Sequence, residues 1–108
     1  MHSLTRTFAA LSDDTRLAVV EQLMTAGELP AGALVAGADM SGPAMSRHLK
    51  VLREAGLIRQ RVDGARRLYS VRPEALQAIS DWIIQHRQFW ESGLDRLHDL
   101  LTQEAPDD

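Results

Sequence analysis

Asp63-Gly64 separates two strand-like runs, Leu57 to Val62 and Arg66 to Val71. An Asp-Gly step between such runs is a strong short-range signal for a β-hairpin. Everything before and after it follows a helical period. Leu4, Phe8 and Leu11 mark a short first helix, and Leu17, Val20, Leu23 and Met24 mark the expected buried stripe of a second. Ser12 or Asp13 suits the start of that second helix, and Gly27 suits its stop. Glu28-Leu29-Pro30 reads as short and extended, and a weak third helix is expected over about Ala31 to Ala36. Ser41 caps a fourth helix, with Pro43 in its first turn, where a missing N–H costs nothing, and Gly56 ends it. From Pro73 to about Gln103 the pattern is again helical, and the acidic tail 104–108 is expected to be frayed. A mainly α chain with a small β-hairpin, about five helices in all, is therefore expected as a single domain over 1–108.

Two short helices joined by a tight turn, the second polar and basic, make a helix-turn-helix over 31–55, and the hairpin over 57–71 makes a wing. Met45, Leu49 and Leu52 must face the core. That leaves Gly42, Pro43, Ala44, Ser46 and Arg47 outward at the end of the helix that enters a major groove first. Arg47 has the two donors that guanine accepts, and Ser46 suits a base or a phosphate. Ser41 opens this helix, and Lys50 and Arg53 lie further along it, where phosphates are expected. In the wing, Arg59 and Arg61 share one strand face, while Arg66 and Arg67 flank the tip near Gly64. Such a tip suits the DNA backbone or the minor groove. His48 stands beside Arg47 and suits a phosphate contact. Its neighbours Met45 and Leu49 suit a half-buried structural role for it equally.

Charge supports duplex DNA as the partner once it is divided along the chain. The whole chain carries −3, but Ser41 to Arg72 holds eight basic and two acidic side chains, a net of +6. The remainder holds four basic and thirteen acidic residues, a net of −9. A basic middle between acidic ends is an electrostatic footprint that the total hides. The plainer alternative is a solvated charged surface.

The segments Ala10-Leu11-Ser12-Asp13, Thr15-Arg16, Met45 to Ile58 and Gly64 to Val71 resemble the ArsR/SmtB family of winged-helix repressors, over about Leu4 to Leu101. The resemblance implies a homodimer that blocks transcription and releases DNA when an effector binds. By position it places Gly42, Pro43, Ser46 and Arg47 on base-facing sites and Gly64 to Arg67 on the wing. Two residues depart from the pattern. Gly42 stands where a longer polar or basic residue is common, and Asp14 stands where proline is common. The family's metal-binding cysteine positions near the third helix fall on Pro30 and Gly32, and the chain contains no cysteine.

Disulfides and thiolate sites are thereby excluded, which fits a reducing cytoplasm. His86 and His98 lie 12 residues apart on the last helical stretch, about 120° out of phase, so they do not share a face. No metal and no cofactor are expected. A metal-responsive repressor using His and Asp ligands of the last helix remains an alternative, as does a winged helix used only for protein contacts. No glycine-rich phosphate loop or nucleophile motif is present, so no enzyme is expected. The start Met1-His2-Ser3-Leu4 has no basic-then-apolar character, and no run of about 18 apolar residues exists, so neither a secretion signal nor a membrane partner is expected.

The last helical stretch is expected to be one helix of some 30 residues, about 45 Å long. Ile79, Ile83, His86, Trp90, Leu94, Leu97 and Leu101 form one stripe, and Trp82, Phe89, Gly93 and Leu100 form a partial second. A helix apolar on two sides needs cover on two sides. A homodimer is therefore expected through the first and last helices, 1–11 and 73–103, with Leu4, Phe8, Trp82, Phe89, Trp90, Leu94, Leu97 and Leu101 at the interface. The operator, the regulated gene and the effector are not legible.

Overall fold

A computed structural model describes residues 3–103; the acidic tail 104–108 lies outside them. The chain forms two compact units, one up to Ala78 and one from Ile79. The first contains α1 (Leu4–Leu11), α2 (Asp14–Ala26), β1 (Glu28–Pro30), α3 (Ala31–Ala36), α4 (Gly42–Glu54), β2 (Ile58–Asp63) and β3 (Arg66–Val71). α5 (Pro73–Gln85) runs across the boundary, and α6 (Arg87–Gln103) belongs to the second unit.

The cap chemistry expected at each helix end is present. The Asp13 carboxylate accepts from the Arg16 amide at 3.0 Å, and the Ser41 hydroxyl accepts from the Ala44 amide at 3.3 Å. Gly27 closes α2 at φ 88°, a conformation that favours glycine. Its amide returns to the Leu23 carbonyl at 2.8 Å.

The core of the first unit collects Val19, Val20 and Leu23 of α2, Leu34 of α3, Met45, Leu49 and Leu52 of α4, and Leu57, Ile58 and Tyr69 of the wing. α2 thus buries a different arc from the one expected. Val20 and Leu23 are buried as anticipated, but Val19 completes the arc. Leu17 and Met24 are 41% and 57% exposed. At about 100° per residue, Val19, Val20 and Leu23 span a single quadrant, and Leu17 and Met24 both lie just beyond its edge.

The sheet has three strands in the order β1-β3-β2, all antiparallel. Glu28 to Pro30, expected only to be extended, pairs with Leu68 to Ser70 and becomes the third strand. The hairpin turn sits one residue later than the sequence signal suggested. Asp63 pairs with Arg66, so the two loop residues are Gly64 and Ala65. Gly64 has φ 64°, and no non-glycine residue among those described has positive φ. Positive φ at the first loop position alone is the type II′ pattern. The type I′ alternative would force Ala65 into the left-handed region.

The last helical stretch is two helices rather than one, which makes six helices among the described residues. His86 interrupts it. Its amide is shared between the carbonyls of Trp82 at 3.3 Å and Ile83 at 3.2 Å. Its ring Nδ1 donates to the same Trp82 carbonyl at 2.7 Å, and the ring packs on the Trp82 indole at 4.8 Å. A side chain inserted into the backbone ladder is a recognised cause of helix interruption.

Leu52 is fully buried where α4 joins the core. Leu52→Ala is expected to destabilise the chain by about 2–5 kcal/mol, because the cavity it leaves cannot collapse among neighbours on several elements. Urea denaturation with an unchanged m-value would confirm it, and a loss below 1 kcal/mol (about one hydrogen bond's worth) would contradict this account of the core.

Candidate nucleic-acid interface

Three buried residues fix the orientation of α4, and the remaining positions follow from the helical period. Arg47 lies nearly opposite the stripe formed by Met45, Leu49 and Leu52, with Pro43 and Lys50 on the same side. Gly42, Ser46 and Arg53 occupy one flank and are exposed, while Ala44 is half-buried on the other. Arg47 and Arg53 have no hydrogen-bond or ion-pair partner among the described residues. Lys50 reaches only Glu54, at 4.0 Å. An exposed ion pair of that length contributes little, so the ammonium remains available.

A Cβ added at Gly42 would meet nothing within 4 Å. Packing therefore does not require glycine there. The short residue at the leading end of α4 is a choice the fold leaves open.

His48 takes the structural role. Its Nδ1 accepts from the Arg16 guanidinium at 3.3 Å and lies 3.8 Å from the Asp13 carboxylate, and its side chain is 23% exposed. It ties α4 to the start of α2 on the flank next to the core stripe. The Arg16 amide, then the positive charge of the Arg16 guanidinium, hold the Asp13 carboxyl below the usual carboxylate range. The Arg16 Nε also donates to the Ala10 carbonyl at 2.7 Å, so one guanidinium joins α1, α2 and α4.

Strand register divides the wing arginines between two faces. Residues paired across antiparallel strands share a face. Arg59, Arg61 and Asp63 therefore lie with Arg66, Leu68 and Ser70, whereas Ile58, Gln60 and Val62 lie with Arg67, Tyr69 and Val71. Arg67 is thus on the face that also carries the buried Ile58 and Tyr69, and Arg66 is on the opposite one. Neither has a partner among the described residues. Beside Arg67 sits Val62, 66% exposed, an apolar residue of the wing tip that the sequence reading did not single out. Its signal was there: alternation from Ile58 puts Val62 on the inward face, but beyond the edge of the core.

Arg61 is committed elsewhere. Its guanidinium grips the Glu28 carboxylate through two hydrogen bonds of 2.8 Å, spanning β3 to join β2 to β1. The pair holds the Glu28 carboxyl below its ordinary value and the Arg61 guanidinium above its own, in each case chiefly through the hydrogen bond. Arg59 remains exposed and contributes to lowering the Glu74 carboxyl, behind the larger effects of that residue's own backbone amide and Arg72.

The residues expected at a subunit interface fall in both units. In the first, Leu4 is half-buried and Phe8 is 42% exposed. In the second, Trp82 is half-buried, whereas Phe89, Trp90, Leu94, Leu97 and Leu101 are 50–66% exposed, and α6 has no buried residue. Ile84, missed in the sequence reading, is 62% exposed. Among the described residues no three His, Asp or Glu side chains converge as a metal would require. No helix among the described residues is long and apolar enough to cross a membrane.

A family described as a helix-turn-helix domain matches residues 11–61. The HTH-type transcriptional regulator Rv2034 of Mycobacterium tuberculosis is 38% identical over 94% of this chain and 92% of its own length. The arsenic resistance transcriptional regulator ArsR1 of Pseudomonas putida is 35% identical over 79% of this chain and 69% of its own length. Among solved structures, an ArsR family transcriptional regulator superposes with a TM-score of 0.73 at 30% identity, covering 85% of this chain and 98% of that one. An ArsR-like regulator from Rhodococcus sp. RHA1 superposes at 0.71 with 26% identity, covering 90% and 91%.

The Glu28–Arg61 pair generates a pH prediction. A carboxyl whose folded pKa is depressed adds stability that is present above its unfolded value, near 4.5, and is lost as pH falls through the lower folded value. Glu28→Gln is expected to flatten the acid limb of the stability curve below that pH and to leave its shape at neutral pH unchanged. Superimposable acid limbs in thermal melts of parent and variant would show that the pair holds nothing.

Proposed function

The chain belongs to the ArsR/SmtB family of winged-helix transcriptional regulators, and on that premise we propose that it is a homodimeric repressor that recognises an inverted-repeat operator. It is a DNA-binding regulator of transcription, and its place of action is the cytoplasm, where DNA and reduced thiols coexist. One observation carries the site assignment above the rest. Arg47 stands unpartnered among the described residues at the leading end of a helix whose opposite side is anchored by three buried residues.

In this reading Ser41 and Ser46, with the outward Gly42 and Pro43 and the small, half-buried Ala44, let the start of α4 approach the groove. Arg47 donates to a base edge, and Lys50 and Arg53 meet phosphates further along. Gly64 allows the tight wing turn, and Arg66 and Arg67 reach backbone or minor groove from its two faces. Arg59 adds positive charge at the wing's base. His48 and Arg61 serve indirectly, one by fixing α4 against α2 and the other by fixing the wing against β1. No cofactor takes part.

The proposed dimer rests on exposed apolar surface. α6 leaves Phe89, Trp90, Leu94, Leu97, Leu100 and Leu101 in water, and exposed patches of that kind mark protein contacts. A second copy supplies the matching surface, Trp82 extends it, and Phe8 and Leu4 offer more apolar area in the first unit. A twofold dimer presents two copies of α4, which suits half-sites about 34 Å apart.

Two outcomes are expected. On duplex selected from a random pool, Arg47→Ala costs about 1–3 kcal/mol per half-site and relaxes preference at one base pair. Arg66→Ala and Arg67→Ala weaken selected and scrambled duplex alike and lower the salt slope by about one for each phosphate no longer neutralised. Binding at several salt concentrations checks both. Equal losses on both duplexes for Arg47→Ala, with altered preference for the wing variants, would reverse the roles. Light scattering at micromolar concentration is expected to give the dimer mass, and Leu94→Glu with Leu97→Glu the monomer mass. A monomeric parent would end the dimer proposal.

A further inference from the structure

Behind the turn of the helix-turn-helix lies an open cavity of about 330 Å³, lined by α2, α3, the segment leading into α4 and Met45 of α4. That volume falls at the lower end of the usual range for small-molecule sites, about 300–1,000 Å³. Its inner wall is apolar. Val19, Leu34 and Met45 line it and are almost wholly buried, and Met40 lines it half-buried. Two of these four are methionines, whose flexible thioethers adapt to irregular ligands and favour aromatic edges. Thr15 and Gln22 add neutral polar groups, and the charged part of the lining is acidic and exposed at the mouth. Asp14 and Asp39 both border the cavity, and no Lys or Arg does. Neither carboxylate has a hydrogen-bond or ion-pair partner among the described residues.

We propose that this cavity binds a small organic cation, an ammonium group on a compact apolar body, and that its occupation tightens the grip on DNA. The second half of the proposal rests on the DNA-binding reading above. The chemistry selects the class. Two carboxylates with no cation beside them disfavour an anion. A neutral apolar molecule would fill the wall but gain nothing from either charge. A metal ion finds no third His, Asp or Glu converging with them among the described residues, and it would gain nothing from the apolar wall. An ammonium on an apolar body satisfies both parts of the lining.

Coupling follows from position. Asp39 stands two residues before Ser41, which caps α4, and Met45 is both cavity wall and the first buried anchor of that helix. An unneutralised carboxylate at this end of α4 opposes the approach of a phosphate backbone. A bound cation cancels that charge and fills the space against which Met45 rests. Because coupling between two binding sites is reciprocal, duplex raises affinity for the cation by the factor that the cation raises affinity for duplex. A factor of at least about fivefold is expected, the lower end of ordinary coupling between sites.

The test uses 2-phenylethylammonium, with 2-phenylethanol and 3-phenylpropionate as neutral and anionic counterparts at constant ionic strength. Each is titrated into the ¹⁵N-labelled full chain. Saturable amide shifts centred on Val19, Leu34 and Met40 are expected with the ammonium alone. Asp14→Asn and Asp39→Asn are expected to weaken them, and Ala38→Met, which fills the cavity from its own lining, to abolish them; the spectra themselves report that each variant is folded. Affinity for the selected duplex is then measured with and without saturating ammonium, and is expected to rise at least about fivefold in the parent and less in Asp39→Asn. Absence of saturable shifts, equal binding of the alcohol, or shifts indifferent to both Asn substitutions would overturn the site. Saturation that leaves duplex affinity unchanged or lowers it would overturn the coupling. Failure to bind any duplex would overturn the proposed function and the coupling together, while the amide shifts still decide the site.

Discussion

Met45, Leu49 and Leu52 set what this chain presents to its surroundings. They seat one side of α4 in a core built from Val19, Val20 and Leu23 of α2, Leu34 of α3, and Leu57 and Ile58 at the start of the wing. Because α4 is rigid and its side chains advance by about 100° per residue, burial of three fixes the direction of the rest. Arg47 faces away from the core for that reason alone. His48 falls beside the buried stripe and is drawn into contact with Asp13 and Arg16. Adjacent residues of one helix therefore have unlike roles, and the core determines which is which.

The same constraint explains how the wing is held. Ile58 and Tyr69 carry the hairpin's base into the core, but its tip extends beyond any apolar support. β1 reinforces the base by pairing with β3, and the Glu28–Arg61 ion pair clamps the outer strands across the middle one. An exposed ion pair alone contributes little, yet here two parallel hydrogen bonds connect elements already in register, so little ordering entropy opposes them. An arginine that looks like a DNA contact in sequence thus stabilises the strand geometry that positions its neighbours Arg66 and Arg67.

Much of this is legible in the amino-acid sequence. The caps at Asp13 and Ser41, the glycine at 27, the third helix over Ala31–Ala36 and the inward stripe of α4 are local features, dictated by nearby residues. What escaped depends on long-range contacts. Whether α2 buries Leu17 or Val19 depends on which side of it α3 and α4 approach. Whether Arg61 is free depends on Glu28, 33 residues away in the chain and brought close by β1. The turn at Gly64-Ala65 slipped by one residue because the strand pairing extends through Asp63. The interruption at His86 has no proline or glycine to announce it; it comes from a ring nitrogen competing with its own backbone amide for one carbonyl.

The distribution of burial along the chain carries the last step. α4 has three buried residues among thirteen, and α6 has none among seventeen, although α6 contains four leucines and two aromatics. Local propensity does not explain a sequence that places so much apolar surface on a helix with nothing of its own unit to cover it, since polar helix formers such as Glu, Lys and Gln would serve as well. The apolar residues are explained if their cover comes from outside the chain. A second copy supplies it most simply, because a twofold axis lets the same leucines be both surface and cover. The two halves of the sequence then divide one task. The basic middle, with its side chains oriented by an internal core, meets DNA, and in the proposed dimer the acidic end, with its apolar face left open, would pair two such readers in the geometry that an inverted repeat requires.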